Sequence, residues 1–290
     1  MIRDPIGTLL SLGMYSAYLK NDQSVSIILI ADPESNKTRQ LMRLSKSPKT
    51  KVQTDLTYYG LVNELLPLIE KGDIFTVIIP DMLKPITKKQ STRSNFITIL
   101  NSLIEEGVFN VTIRDEKNFH GARANVLSSV TPAIFRDNRT MFHRMGFWTR
   151  VIPFTYKYSP EKIEDIFERI GDYSASAEEP IKIESPFRPV EVKITKEQTE
   201  EAERLARLLA KAEEIRHKRK RKDKEYEWVE DSTPGFRHKW QFMSLIKASA
   251  LKREIDAGRT YLDGIEVTDE DLATVRDLSQ WINYDFRELG

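Results

Sequence analysis

An octapeptide after the first apolar run has residue types suited to binding phosphate. Residues 31–38 read Ala-Asp-Pro-Glu-Ser-Asn-Lys-Thr. The phosphate-binding pattern GxxxxGK[ST] likewise ends in Lys and Thr, and it follows a strand and opens a helix. Lys37 is therefore predicted to contact the β- and γ-phosphates of a nucleotide, and Thr38 to bind Mg²⁺. Backbone N–H groups of the loop would surround the phosphates.

The loop departs from that pattern because Ala31 and Asn36 stand where it has glycine. Asn adopts the left-handed backbone conformation more readily than most residues, so Asn36 is predicted to keep the loop shape. The carboxylates of Asp32 and Glu34 should repel a polyphosphate, which predicts weak nucleotide binding that depends on Lys37. The pattern alone leaves open an ordinary strand-to-helix turn containing a Lys-Thr pair.

A second candidate group is the acid that ends the apolar run 76–82, Thr-Val-Ile-Ile-Pro-Asp-Met. A carboxylate after a buried strand can help to hold the Mg²⁺ of a bound nucleotide, so Asp81 is predicted as a metal ligand and catalytic residue. ATPases commonly have a second acid here to polarise the attacking water, but Met82 follows Asp81. The alternative is an Asp that caps the following turn.

The elements that position these residues alternate between strands and helices. Predicted strands cover 24–31, 51–57, 74–81, 109–114, 119–124, 125–132 and 147–156, and predicted helices cover 5–20, 37–45, 58–70, 95–107 and 136–145. Asp4 is predicted to cap the first helix, with Pro5 at its first position. The run 24–31 lacks polar alternation, which indicates burial on both faces, as in a parallel sheet. The pattern predicts a three-layer α/β fold with 24–31 central, flanked by 74–81 and 125–131.

The composition changes after residue 157. Residues 172–194 are rich in Pro, Ser and Glu and are predicted to be a linker between an α/β core, 1–171, and a helical region, 195–290. Predicted helices cover 195–215, 236–253 and 268–286, and Thr195 with Gln198 forms a capping box. The segment 231–286 is expected to form a separate lid. The basic run 217–222 lies within the helical region.

The overall composition limits the function classes. The formal net charge is +1, so any basic surface for nucleic acid must be local. The absence of cysteine excludes disulfides and thiolate zinc sites, and the four histidines lack metal-ligand spacing. No apolar run has the length of a membrane span, and the N-terminus lacks the shape of a signal peptide. A cytoplasmic protein without membrane partners is expected.

The segment 99–132 resembles the pre-sensor hairpin and sensor 1 region of the mini-chromosome maintenance (MCM) helicases, which are AAA+ P-loop ATPases. It contains an acidic pair at 105–106, a hairpin at about 111–121, Gly-Ala-Arg at 121–123, an apolar strand at 126–130 and Thr-Pro at 131–132. Thr-Arg-Val at 149–151, the segment 231–251, the segment 264–278 and Gly-Leu at 60–61 also resemble parts of that family. The order and spacing of these degenerate motifs carry the resemblance, over roughly 24–156 and 195–286.

The resemblance implies an AAA+ core with a C-terminal helical lid, and it gives roles to further residues. Thr131 takes the sensor 1 position, Arg150 the position of an arginine finger that acts on a neighbouring subunit's nucleotide, and Arg237 the sensor 2 position. Arg114 and Lys117 of the hairpin would contact a nucleic-acid backbone. Alternatives left open are a strand-end threonine, surface arginines and a solvated turn. Arg150 is expected to face solvent and to contribute little stability.

The resemblance also implies a function. The chain is expected to be a ring-forming homo-oligomer, for which a hexamer is one possible size, that binds ATP and Mg²⁺ and acts on DNA. It would be a helicase or translocase motor, or a motor-like subunit, with impaired hydrolysis. One alternative is a catalytically inactive scaffold derived from an AAA+ protein. Another is an ATP-dependent helicase loader or transposition regulator, with other replication or mobile-element proteins as partners.

Overall fold

A computed structural model describes residues 2–87, 89–112, 116–170, 179–212, 215–220, 226–231, 233–259 and 261–282. Its strands, in chain order, are β1 (Ser26–Ile30), β2 (Thr50–Val52), β3 (Thr76–Ile79), β4 (Val108–Thr112), β5 (Glu116–Ala122), β6 (Asn125–Val130), β7 (Val151–Thr155), β8 (Val192–Lys193), β9 (Ile215–Lys220), β10 (Tyr226–Asp231) and β11 (Ile265–Glu266).

The helices, in chain order, are α1 (Pro5–Ser16), α2 (Lys37–Met42), α3 (Tyr58–Gly60), α4 (Leu66–Glu70), α5 (Leu83–Ile86), α6 (Gln90–Asn101), α7 (Pro132–Arg144), α8 (Pro160–Ile170), α9 (Lys196–Ala212), α10 (Phe236–Asp256) and α11 (Asp269–Ser279). π-helical turns at Leu61–Leu65 and Ser102–Glu106 continue α3 and α6, and a 3₁₀ turn at Trp148–Arg150 precedes β7.

The central sheet has five parallel strands in the order β2-β3-β6-β1-β7. The expectation that 24–31 is the central strand is confirmed only in that β1 lies inside the sheet, because β6 is the middle strand of the five, and the expected neighbours of β1 are partly wrong. β1 pairs with β6 and β7, and β6 separates it from β3. Pro153 lies in β7 opposite Ile28, and because proline cannot donate a ladder hydrogen bond it suits the edge strand that β7 is.

Buried hydroxyl groups help to fix β6 between β1 and β3. Ser128 and Ser129 donate hydrogen bonds through Oγ to the carbonyl oxygens of Ile79 (2.7 Å) and Pro80 (2.6 Å), at the end of β3. Toward β1, the backbone N–H of Val126 donates to Oγ of Ser26 over 2.9 Å. These contacts satisfy polar groups that would be costly to bury unpaired. The hydrophobic periodicity of the sequence could not predict these contacts, because it indicates which residues are buried and not which strands are neighbours.

The two faces of the sheet belong to different hydrophobic clusters. Ile27 and Leu29 of β1 pack with residues of α1, α9, α10 and α11, whereas Ile28 and Ile30 pack with residues of the 58–70 helix, α6 and α7. Successive side chains of a strand point to opposite faces, so the four residues of β1 that enter these clusters, 27–30, are all apolar. The architecture is therefore an α/β fold in which helices cover both faces of a parallel sheet, in three layers.

The C-terminal helices share their core with the α/β part. One cluster contains residues of α1 and β1 together with residues of α9, α10 and α11. Two parallel residue pairs join β8 to β11, and the backbone of Val190 exchanges hydrogen bonds with Tyr18 and Lys20 after α1. The described part of the expected linker, 179–194, thus packs against α1. The division into core, linker and lid stays a prediction.

Several local expectations are confirmed. Asp4 caps α1, because its Oδ1 accepts a hydrogen bond from the N–H of Gly7 over 2.8 Å. Thr195 and Gln198 form the predicted reciprocal capping box. The basic run 217–222 begins in β9 of an antiparallel hairpin with β10, and its last two residues lie outside the described residues. Within the described residues, no helix combines the length and apolarity that a bilayer span requires.

Candidate nucleotide site at the carboxyl edge of the sheet

The loop after β1, the turn after β3 and the end of β6 meet at one edge of the sheet. The N–H of Ala31 donates to the carbonyl oxygen of Val130 over 3.4 Å, and the N–H of Met82 donates to that of Ser129 over 2.9 Å. The phosphate-type loop and Asp81 therefore flank the end of β6, where Thr131 follows. Ligands of open α/β sheets bind at this carboxyl edge, where the order of the strands reverses.

The ammonium group of Lys37 lies within its own loop. Nζ donates to the carbonyl oxygens of Ala31 (2.7 Å) and Asp32 (2.5 Å), and it lies 3.2 Å from Oγ of Ser35. Burial lowers the pKa of Lys37, whereas the carboxylates of Asp32 and Asp81 act to raise it. Lys37 is therefore a partly desolvated cation beside two acids. Its ammonium group donates hydrogen bonds to two carbonyl oxygens of its own loop.

The backbone of the loop is left-handed at Asn36, one of the two positions where the phosphate-binding pattern has glycine. Asn36 has φ 58° and ψ 19°, so the expectation for this residue is confirmed. Glu34 also has positive φ, at 63°. The exposed residues of this segment include Asp32, Glu34 and Thr38. The loop can therefore curve without glycine, at the cost of two strained residues.

Asp81 serves as a turn cap in this structure. Its Oδ1 accepts a hydrogen bond from the N–H of Leu83 over 2.8 Å, and the residue is exposed. This is the alternative that the sequence left open. Within the described residues, no group of three or more His, Asp or Glu side chains could hold a metal ion. A Mg²⁺ here would need phosphate oxygens or waters to complete its coordination.

Thr131 joins β6 to α7 at the same edge. It is half-buried, it occupies the N-cap position of α7, and its hydroxyl makes no capping hydrogen bond. The resemblance gives Thr131 the sensor 1 role, and in the structure it follows β6, which pairs with β1. The role itself stays a prediction, as do the roles of Thr38 and Asp81 toward Mg²⁺.

Arg150 is not the solvent-facing residue that was expected. Only 8% of the residue is exposed. Its Nε lies 2.6 Å from Oε2 of Glu105, one guanidinium nitrogen donates to Oε1 of Glu106 (3.1 Å), and the other donates to the carbonyl oxygen of Gly146 (2.7 Å). That expectation was wrong because the acidic pair at 105–106, read only as part of a family motif, turns toward Arg150. Its action on a neighbouring subunit stays a prediction.

Arg237 lies beside Arg150 and not beside the loop of its own chain. Its Nε donates to Oε1 of Glu105 over 2.6 Å, so one carboxylate bridges both arginines. Arg150 immediately precedes β7, whose first residue pairs with the first residue of β1. The arginines therefore lie at the amino edge of the sheet. A five-residue strand, about 16 Å at 3.3 Å per residue, separates this edge from the Lys37 loop.

Of the two expected nucleic-acid residues, Lys117 lies in β5. Arg114 lies outside the described residues. Nζ of Lys117 donates to Oδ1 of Asn63, and the N–H of His120 donates to Oε1 of Glu70 over 2.8 Å. The described part of the hairpin is thus held against the 58–70 helix. Lys117 is half-buried and engaged within its own chain, and contact with a nucleic acid stays a prediction.

Two tyrosines after β7 are part of the site, and sequence reasoning missed them. The hydroxyl groups of Tyr156 and Tyr158 both donate to the carbonyl oxygen of Ser35, over 2.8 and 3.0 Å. Tyr156 directly follows Thr155, the partner of Ile30 in the β1–β7 ladder, and so lies beside the start of the loop. The signal was two tyrosines spaced by two residues after a strand. It becomes informative only when β7 is known to lie beside β1.

Neither a scan against protein-family models nor a search of curated proteins found a match to this chain. The assignment of the site therefore depends on its own geometry and on the motif resemblance described above.

Proposed function

We propose that the chain is a nucleotide-binding protein of the AAA+ type, similar to a reduced MCM-like ATPase, that binds ATP with Mg²⁺ at the Lys37 loop. The observation that carries the proposal is the meeting of Lys37, Asp81 and Thr131 at one sheet edge. They follow β1, β3 and β6, three strands that are adjacent in the sheet although distant in the chain. A lysine, an acid and a hydroxyl so placed fit phosphate and metal recognition.

The residues of the site divide the work of binding. Lys37, which is already partly desolvated, would exchange the carbonyl oxygens of Ala31 and Asp32 for phosphate oxygens. Thr38 and Asp81 would hold Mg²⁺, which would neutralise charge on the terminal phosphates. Thr131 would orient a water or a phosphate oxygen. Because Asp81 has no neighbouring second acid, we infer slow hydrolysis.

The positions of Arg150 and Arg237 favour a homo-oligomer. Both lie at the edge opposite the Lys37 loop of their own chain, so they can approach a nucleotide only on a neighbouring copy. A contact between opposite edges is heterologous, and it closes into a ring when the rotation between subunits allows. By the motif resemblance we infer a ring that acts on DNA, as a motor or a motor-like subunit.

A second candidate, a scaffold that has lost ATP hydrolysis, is favoured by two specific contacts. Lys37 is bonded to its own loop, and Glu105 and Glu106 compensate the charge of Arg150 within one chain. These contacts stabilise the protein without nucleotide. In a scaffold they would be permanent, whereas in an ATPase they must open when a nucleotide and a neighbouring subunit arrive.

Sedimentation and ATPase assays of the full chain separate the two candidates. With Mg²⁺·ATP, the proposed ATPase sediments as a larger assembly than the free chain and hydrolyses ATP slowly, and Lys37→Ala abolishes both effects. Mixing Lys37→Ala subunits with Arg150→Ala subunits, or with the more exposed Arg237→Ala, restores part of the activity because intact sites form between unlike subunits. Assembly and stability that are the same with and without ATP would instead support the scaffold.

A further inference from the structure

The loop of residues 31–36 is held from outside by an unusual pair of donors. The hydroxyls of Tyr156 and Tyr158 converge on a single acceptor, the carbonyl oxygen of Ser35, over 2.8 and 3.0 Å. A carbonyl oxygen has two lone pairs, so this acceptor is saturated. The two rings also pack on each other, with centroids 5.7 Å apart and planes tilted by 56°. The pair therefore holds one peptide group from two directions.

The held peptide group is the one on which the loop shape depends. It joins Ser35 to Asn36, and Asn36 has the left-handed conformation at φ 58°. In a trans peptide the C=O and N–H groups point in opposite directions. With the carbonyl of Ser35 fixed toward the tyrosines, the N–H of Asn36 must point away from them. An N–H group directed in this way can contribute to the concave anion-binding arrangement that a phosphate needs.

Non-glycine residues persist in strained backbone only when their surroundings over-determine them. The 31–36 loop has two such residues, Glu34 and Asn36, and neither glycine of the phosphate-binding pattern. Within the loop, Ser35 donates through Oγ to the carbonyl oxygen of Asp32 over 2.6 Å. The tyrosines supply the restraint from outside the loop, and the register of β7 beside β1 places Tyr156 to do so.

We propose that Tyr156 and Tyr158 are positioning residues of the phosphate loop, which replace the conformational role of its missing glycines by fixing the Ser35–Asn36 peptide. They act through the backbone and do not touch the nucleotide. The inference depends on the proposed nucleotide site for its effect on affinity, but the restraint on the loop is a property of the free protein.

The test combines Tyr→Phe variants with a glycine that removes the need for restraint. Tyr156→Phe/Tyr158→Phe keeps both rings, and we expect it to weaken Mg²⁺·ATP binding about tenfold by calorimetry. Asn36→Gly alone should change affinity by less than about threefold, since glycine accepts positive φ without strain. Added to the double variant, Asn36→Gly should restore most of the lost affinity. Tyr59→Phe, at a tyrosine with 63% exposure, is the control.

Each result decides the proposal. Unchanged ATP affinity in the double Tyr→Phe variant would overturn it, and so would a loss that Asn36→Gly fails to restore, because the tyrosines would then act otherwise. If the wild-type protein binds no ATP, the nucleotide proposal fails on its own. Hydrogen exchange of the loop amides then tests the restraint. Exchange at least tenfold faster in the double variant than in Tyr59→Phe supports it, and equal exchange overturns it.

Discussion

Arg150 and Glu105 form an ion pair in which Nε and Oε2 lie 2.6 Å apart and the two side chains are only 10% and 20% exposed. The pair joins the turn before β7 to the π-helical turn after α6. The other carboxylate oxygen of Glu105, Oε1, accepts a hydrogen bond from Nε of Arg237 in α10. Glu105 therefore ties the sheet to the C-terminal helices, and any action of the two arginines on another subunit must compete with it.

Arg150→Ala should destabilise the free chain. Removing one partner of a buried ion pair costs about 3–5 kcal/mol when the other charge is left uncompensated, and because Glu105 keeps its contact with Arg237 we expect about 2 kcal/mol here. Denaturant unfolding measures the free energy. The matched control is Arg188→Ala, because Arg188 pairs with Asp263 at 68% and 51% exposure, where about 0–1 kcal/mol is expected. Equal losses in the two variants would contradict the buried pair.

Neutralising the acids of the loop should tighten nucleotide binding. Each carboxylate of Asp32 and Glu34 opposes a phosphate, and at about 8 Å in water one unit charge contributes about 0.5 kcal/mol. Asp32→Asn/Glu34→Gln should therefore raise ATP affinity about fivefold at low salt, and the gain should shrink as salt is added. Isothermal calorimetry with Mg²⁺·ATP gives the comparison.

The control for that experiment removes two charges from exposed residues elsewhere. Asp73 lies before β3 and Glu191 before β8, away from the carboxyl edge. Asp73→Asn/Glu191→Gln should leave ATP affinity within about twofold. If both double variants gain affinity equally, the effect is one of net charge, and the loop does not hold phosphate in the expected way.

Glu201 should make stability depend on acid pH. Hydrogen bonds from Arg204 and then from Arg276 lower its pKa from 4.5 to about 2, although burial acts to raise it. Since the folded-state pKa is depressed, its stabilising contribution is present above pH 4.5 and is lost as pH falls toward 2. After solvent screening we expect about 1 kcal/mol.

Denaturant unfolding at a series of pH values tests this expectation. Glu201→Gln should flatten the loss of stability between pH 4.5 and 2, because Glu201 links α9 to Arg276 of α11. Glu200→Gln, at an exposed residue of the same helix, should leave the slope as it is. An unchanged slope in Glu201→Gln would mean that the ion pairs do not persist in solution.

Local patterns predicted the elements well where one physical rule dominated. The largely apolar run 24–31 predicted β1 as a parallel strand buried on both faces, Asp4 predicted a cap, and Asn36 predicted left-handed backbone. The sequence did not predict that β6 separates β1 from β3, because that order depends on hydroxyl contacts such as Ser128 with Ile79. Strand order is a long-range property.

The candidate site was likewise predictable only in part. Lys37 and Asp81 could be proposed because their motifs follow apolar strands and parallel strands end at the same edge, whereas Thr131 was proposed from the motif resemblance. The burial of Arg150 could not be predicted from the sequence, since it depends on a carboxylate 45 residues earlier in the chain. The contact of Tyr156 with Ser35 likewise joins residues 121 positions apart. Both contacts follow from the packing of distant segments.

The most direct test of the nucleotide site is equilibrium binding of Mg²⁺·ATP to the full chain and to two lysine variants. Lys37→Met removes the ammonium group that is bonded to Ala31 and Asp32, and Lys46→Met removes one from an exposed residue farther along the chain. A hydrogen bond to a charged group contributes about 1.5–3 kcal/mol, so we predict that Lys37→Met lowers affinity at least tenfold and that Lys46→Met leaves it within about twofold. Equal affinities of the wild-type protein and Lys37→Met, or no measurable binding to the wild-type protein, would contradict the proposed site.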